Sequence, residues 1–269
     1  MTGEPASAAD ATAGAGDGHV VDLNADLGES YGAWRLGDDE ALLEVVTSAN
    51  IACGFHAGDP LTIRRACASA VARGVAIGAQ VSYQDLAGFG RREMTVPADD
   101  LAAEVLYQLA ALDGIARAEG GRVSYVKPHG ALYNRAARDP EQAAAIAAAV
   151  SSYDRMLPVL SLPGSETAAA AVRVGLPAVA EAFADRAYND DATLVRRGTP
   201  GAVLTDSAVV AARVTGLAIN GTLESINGKE LRIDARSVCI HGDTPGAVRL
   251  AWAVRAALEQ AGVTLTSFA

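Results

Sequence analysis

The chain has 269 residues, half of them apolar and a fifth charged, with a formal net charge of −10; that length buries a sizeable core as one domain or two small ones. Its Lys and Arg residues are scattered, which excludes the basic footprint that a nucleic-acid backbone requires, and no apolar stretch reaches membrane-spanning length. Cys53, Cys67 and Cys239 lack Cys-x-x-Cys spacing, arguing against a disulfide scaffold or thiolate zinc site, and the Ala- and Gly-rich start has no basic residue ahead of an apolar run, so a cytoplasmic protein is expected.

Residues 1–18 read as a flexible arm and residues 19–269 as one domain. A β-branched run from His19 to Leu23 predicts a first strand ending in Asn24, Asp26 and Glu29. Asp38 or Asp39 is positioned to cap a helix through Val46. The apolar stretch Ala49–Phe55 follows, and then Asp59 and Pro60 supply a cap and a first helical residue for a helix stopping at Gly74. Val75–Val81 is the next strand, followed by a Gly- and Arg-rich loop and a helix over residues 97–118. Val123–Val126 runs into Lys127-Pro128-His129-Gly130, with a helix around residues 141–150. Strands at Leu157–Leu162 and Ala178–Phe183 flank a helix starting near Ser165. A helix over residues 206–214 and an antiparallel excursion within residues 217–235 follow, the latter suggested by Asn220-Gly221 and Asn227-Gly228. Val238–Ile240 is the last strand, and Pro245 opens the final helix.

Strands alternating with helices imply a mainly parallel sheet. Polar residues gather just after the strands: Asp26 and Glu29, His56 and Asp59, Gln80 and Asp85, Lys127 and His129, Arg186, His241 and Asp243. In parallel α/β folds these loops converge on one face, and a barrel gathers more such clusters than an open sheet does. Three of the four histidines follow strands beside glycine, suiting proton transfer or metal binding. Alternation puts Asp22, Asn24 and Asp26 on one face, where a buried Asp22 needs a His, Lys or metal beside it. Lys127, Arg91, Arg92 and Arg186 are candidates for gripping a phosphate or an oxyanion, and Gly88 and Gly90 for an anion nest. Glu181 sits in an apolar strand. Phosphate-loop, dinucleotide, nucleophile-elbow and His-Glu-x-x-His signatures are missing, which places any nucleotide site on a partner. Metal-free acid/base chemistry and a nitrogen/oxygen metal site both remain open.

Asp22-Leu-Asn-Ala-Asp-Leu-Gly-Glu29 resembles the opening motif of the LamB/YcsF family. So do, in family order, Ser48 to Pro60 (SANIACGFHAGDP), Gly88-Phe-Gly-Arg-Arg92, Val126 to Asn134 (VKPHGALYN), Glu181-Ala-Phe-Ala-Asp-Arg186 and Cys239-Ile-His-Gly-Asp243. The resemblance implies an incomplete seven-stranded β/α barrel related to polysaccharide deacetylases. It also implies the A component of an ATP-dependent 5-oxoprolinase, which opens 5-oxo-L-proline to L-glutamate with ATP bound mainly by B and C subunits. On it, Asp22, Asp26, Glu29, His56, Lys127, His129, Glu181, Arg186, His241 and Asp243 are candidate catalytic residues. Asn24, Asn50, Asp59, Gln80, Asp85 and Arg91 are candidates for substrate binding, with no metal ligand assigned and a divalent metal left open. Water is expected to lose its proton near Asp22, His56 and His129. Lys127 and Arg186 steady phosphate and oxyanion, His241 oriented by Asp243 protonates the ring nitrogen, and the substrate carboxylate meets amides after Asp59. Many family members carry His-Pro where this chain has Gln80-Val81, and some carry cysteine in place of Ala25. The competing readings are a metal-dependent deacetylase or amidohydrolase acting alone, and a non-catalytic subunit that binds 5-oxoproline or carbohydrate.

Overall fold

A computed structural model describes residues 19–244 and 246–269; the expectations for residues 1–18 and Pro245 lie outside it. Ten strands and eight helices follow one another among the described residues. β1 (Val20–Leu27), α1 (Asp39–Leu43), β2 (Ser48–Ala52), α2 (Pro60–Arg73), β3 (Ala76–Val81) and α3 (Ala98–Ala118) form the first half. β4 (Val123–Pro128), α4 (Gly130–Ala136), α5 (Pro140–Tyr153), β5 (Val159–Ser161), α6 (Glu166–Arg173) and β6 (Ala178–Phe183) continue the alternation. α7 (Ser207–Asn220), β7 (Thr222–Glu224), β8 (Glu230–Arg232), β9 (Ser237–Ile240), α8 (Ala247–Gln260) and β10 (Thr264–Leu265) complete it.

Seven strands pair in parallel in the order β1-β2-β3-β4-β5-β6-β9, and β9 pairs back onto β1. The ring is therefore closed with one strand fewer than the commonest β/α barrel. β10 adds to the start of β1, where Val20 faces Thr264, and β7 and β8 form a separate antiparallel hairpin. That hairpin is the expected excursion, turning at Gly228 with φ +81°. Asn220-Gly221 plays a different part: α7 runs to Asn220, and Gly221 closes it in the left-handed conformation. Short polar side chains start the helices: Asp38 and Asp59 cap as expected, and Asp139, Ser165 and Asp206 likewise accept from first-turn amides. α1 is shorter than its apolar run, ending at Leu43, and α4 and β10 were not expected.

Alternation sorts each strand. Leu23, Ala25, Leu27, Ile51, Ile77 and Val81 join the apolar layer under the helices, while the barrel interior is polar. There Asn50 Nδ2 donates to Asn24 Oδ1 (2.7 Å) and Asp26 Oδ1 (2.9 Å), and the Tyr125 hydroxyl donates to Asn50 Oδ1 (2.6 Å). Gly78 makes room for this layer, since a Cβ there would overlap the Tyr125 ring. A polar interior of this kind is tolerable only when its members satisfy one another, and it puts ionisable groups at the carboxyl ends of the strands.

Candidate active site

β1, β2 and β4 deliver Glu29, His56 and His129 to one spot at the barrel mouth. The imidazoles of His56 and His129 stack with centroids 4.0 Å apart and planes 15° from parallel. Glu29 Oε1 lies 3.6 Å from His56 Nε2 and 3.7 Å from His129 Nδ1. Gln80, at the end of β3, spans the rings: its Oε1 is 3.2 Å from His56 Nε2 and its Nε2 3.0 Å from His129 Nδ1. The loop after β3 closes over them. Phe89 adopts a left-handed φ of +56°, uncommon for a bulky residue, and its carbonyl oxygen sits 3.0 Å from His129 Nε2. Gly90 lies so close that a Cβ would come 2.8 Å from His56 Cβ.

A second group lies alongside, inside the ring. The Lys127 ammonium, on β4 and only 2% exposed, is 2.9 Å from Glu181 Oε2, 3.0 Å from Cys239 Sγ, 3.1 Å from Asn24 Oδ1 and 3.6 Å from Asp26 Oδ1. His241 Nδ1 is 2.8 Å from Asp185 Oδ1, the Thr244 hydroxyl donates to the other carboxylate oxygen, and the His241 ring stacks on Phe183.

The protonation of the site follows from burial and neighbours. Burial drives the Glu29 carboxyl well above the ordinary range, reinforced by negative Asp26 and Asp243. Burial pushes Asp26 up as well, but Lys127, His241, His129 and the Asn50 amide overcome it and hold Asp26 below the usual carboxylate range. Burial lowers His56 to about 4, and it lowers His129 well below its usual value, with His56 adding to the effect. Lys127 stays charged against burial because Cys239, Glu181 and Asp26 surround it. The site thus holds a carboxyl of raised proton affinity, two neutral imidazoles and one buried ammonium facing ionised Asp26.

A cleft of about 170 Å³, room for a ligand the size of an amino acid, opens onto Glu29 and His56. Tyr31, Trp34, Leu36, Leu86 and Phe89 line its walls beside Arg35. Arg35 was missed in the sequence because its loop carries no motif; a cation between Trp34 and Leu36 was the only signal.

Several expected roles are corrected. Asp22 is buried as foreseen, but its partners are the hydroxyls of Thr47, Ser48 and Ser237 rather than His, Lys or a metal. It sits four residues, roughly 13 Å of strand, below Asp26. Asp243 does not orient His241; it pairs with Arg91 at 2.7 Å, and Asp185 takes the orienting place. Arg186 donates to the carbonyls of Val195 and Ala202, fastening its own loop. Asp59 accepts from the amides of Leu61, Thr62 and Gly32, leaving those amides unavailable to a substrate carboxylate. Asp85 binds Arg92 and the Gly88 amide, and the Gly90 amide goes to the Asp85 carbonyl, so the expected anion nest is spent within the loop. Gln80 bridges histidines, and Asn24 and Asn50 belong to the interior network.

Two groups of donor atoms come close enough to suggest a metal: Glu29 with His56 and His129, and Asp26 with Cys239 and His241. Imidazole coordinates in its own plane, and two stacked rings aim their lone pairs side by side rather than at one point. Shared coordination through Glu29, His56 and His129 therefore requires one ring to turn. The second group already has the Lys127 ammonium among its donors, which repels a further cation.

The chain resembles known proteins over most of its length. The A component of 5-oxoprolinase from Streptomyces avermitilis is 59% identical over 250 residues, covering 93% of this chain and 100% of that protein. The crystal structure of a lactam utilization protein from Thermus thermophilus superposes with a TM-score of 0.88 at 47% identity, covering 93% of this chain and 100% of that one. A putative cellobiose-phosphate cleavage protein from Enterococcus faecalis, 14% identical with a TM-score of 0.55 over 93% of this chain and 98% of its own, shares the fold alone. The LamB/YcsF family model matches residues 21–269, and the chain belongs to the LamB/YcsF family.

Proposed function

We propose that the chain is the catalytic A component of an ATP-dependent 5-oxoprolinase, converting 5-oxo-L-proline to L-glutamate together with B and C subunits. The observation that carries this reading is near-full-length identity of 59% to a 5-oxoprolinase A component, in a chain whose cleft ends on a buried acid beside two stacked imidazoles.

A five-membered lactam is a stabilised amide, so attack by water needs prior activation. Phosphorylation of the lactam oxygen, with ATP held by the partner subunits, supplies a more electrophilic carbon. In this chain Arg35 and Arg91 are the cations that meet the substrate carboxylate and the phosphate. His241, whose Nδ1 proton is held by Asp185, offers Nε2 to the attacking water. The C–N bond then breaks as Glu29 gives its proton to the ring nitrogen, leaving an acyl phosphate that hydrolyses to L-glutamate and phosphate. At the pocket floor Lys127, paired with Glu181, keeps Asp26 ionised, and the Asp26 charge raises the proton affinity of Glu29 beyond what burial alone does. The parallel ring stack at His56 and His129 favours this acid/base scheme over a metal-dependent deacetylase acting alone.

Reconstitution with the B and C subunits tests the reading. Glutamate release from 5-oxoproline is expected with ATP and not without it, and Glu29→Gln is expected to lower turnover about 100-fold or more, the usual range for losing a positioned acid. ATP-independent release by this chain alone, abolished by a chelator, would overturn it.

A further inference from the structure

We infer that Gln80 is a positioning residue that fixes which ring nitrogen of His56 and of His129 carries the proton. The carbonyl oxygen of Phe89 can only accept a hydrogen bond. His129 Nε2 lies 3.0 Å from it, so Nε2 carries the hydrogen. A neutral imidazole has one N–H, and Nδ1 of His129 is therefore bare. The Gln80 group 3.0 Å from that bare nitrogen must be the amide NH2, which settles the amide orientation from the network. The Gln80 oxygen then faces His56 Nε2 at 3.2 Å, and that nitrogen must be the N–H of its ring. His56 Nδ1 is left as a lone pair, and it is buried with no hydrogen-bond partner.

Each link leaves the next one choice. The left-handed Phe89, with Gly90 packed against both rings, holds the anchoring carbonyl in place. An amide transmits the order without titrating, so the polarity does not depend on the charge of Gln80. The consequence falls on Glu29. Its Oε1 lies 3.6 Å from His56 Nε2 and 3.7 Å from His129 Nδ1 yet has no hydrogen-bond partner, because Gln80 already takes the N–H of the first ring and the lone pair of the second. A proton on Glu29 therefore has neither ring as its recipient while Gln80 is in place. Gln80 thereby keeps both rings from drawing off the proton of the acid and acts through the histidines rather than on substrate.

The tautomers are measurable in the chain as it stands, whereas the link to turnover rests on the role given to Glu29 above. The chain has only four histidines, so two-bond 1H–15N spectra of 15N-histidine-labelled protein near pH 7 are resolvable, with His56→Asn and His129→Asn used for assignment. Both rings are expected as neutral Nε2–H tautomers. An Nδ1–H tautomer or an imidazolium at either position overturns the inference. In Gln80→Leu, or Gln80→Met should that variant fold poorly, His129 is expected to keep Nε2–H through Phe89 while His56 becomes a tautomer mixture. His56 signals that do not move remove Gln80 from control. In the reconstituted enzyme the same variant is expected to lose about tenfold or more in kcat with KM for 5-oxoproline within about twofold. A raised KM at unchanged kcat places Gln80 on the substrate instead. Absence of 5-oxoproline turnover in the parent enzyme defeats the functional proposal and leaves the spectral result to decide this one.

Discussion

His56 is fully buried and its imidazole is held neutral down to about pH 4 against an ordinary value of 6.5. Between those values the unfolded chain binds a proton that the folded chain refuses, so stability falls as pH drops through that window and is unaffected by this group above 6.5. The loss approaches about 3 kcal/mol near pH 4, since each pH unit between the two values is worth about 1.4 kcal/mol. His129 acts in the same direction, while Glu29, raised above its ordinary value, makes stability fall as pH rises above 4.5. Denaturant unfolding of His56→Asn and its parent, compared from pH 7.5 to 4, isolates the effect. The variant is expected to lose up to about 1.4 kcal/mol per pH unit of the slope between 6.5 and 4; identical slopes would show that burial does not exclude the proton. At this scale the sequence placed Glu29, His56, His129 and His241 at the strand ends because each follows a strand beside glycine or a carboxylate. It misassigned the carboxylate that holds His241. Asp243 is nearer in the chain, but β6 and β9 pair Phe183 with Cys239, and in the loops just past both strand ends Asp185 meets His241 at 2.8 Å. Strand register decides that contact, and a single sequence does not display it.

The loops after the strands are built by residues whose polar groups are spent on their own backbone, which is why several reactive-looking side chains proved structural. Asp59 caps α2 and also reaches across to the Gly32 amide in the loop after β1, 2.9 Å away. Asp59→Ala removes the cap and that tie together. The expected cost is about 1 kcal/mol for the cap, or roughly 2–4 °C in Tm, with turnover in the reconstituted enzyme within about twofold of the parent. A turnover loss of ten times that size at unchanged Tm would return Asp59 to the substrate. Most elements were legible because their punctuation is local: an Asp-Pro start, a left-handed Gly74 stop, an Asn-Gly hairpin. α4 was not, because Lys127-Pro128-His129-Gly130 reads as a loop. Its seven residues are held by a tertiary bond from the Ala131 amide to the Gly90 carbonyl, supplied by the loop after β3. β10 is two residues long and exists only through its pairing with the start of β1.

A seven-stranded ring must close between its first and last barrel strands, and Asp22 stands at that seam. Its carboxylate accepts from Thr47 and Ser48 at 2.6 Å on the β2 side and from Ser237 on the β9 side. One buried anion thus ties β1 to both neighbours, opposite Ser237 in the register that completes the barrel. Burial raises the Asp22 carboxyl above its ordinary value even though all three hydroxyls and Lys127 oppose it, a measure of how little water reaches this end. Asp22→Ala leaves three hydroxyls without their acceptor, and hydrogen bonds to charged groups carry about 1.5–3 kcal/mol each before relaxation. The variant is expected to lose about 3 kcal/mol or more, seen as a lower denaturant midpoint at unchanged m. Because the seam lies at the opposite end of the strand from Asp26 and Glu29, folded Asp22→Ala enzyme is expected to keep kcat and KM within about twofold of the parent at a temperature where both are native. Turnover lost at undiminished stability would mean that the carboxylate works on substrate rather than on closure. The proposed division of labour along β1, closure at Asp22 and chemistry at Asp26 and Glu29, would then fail with it.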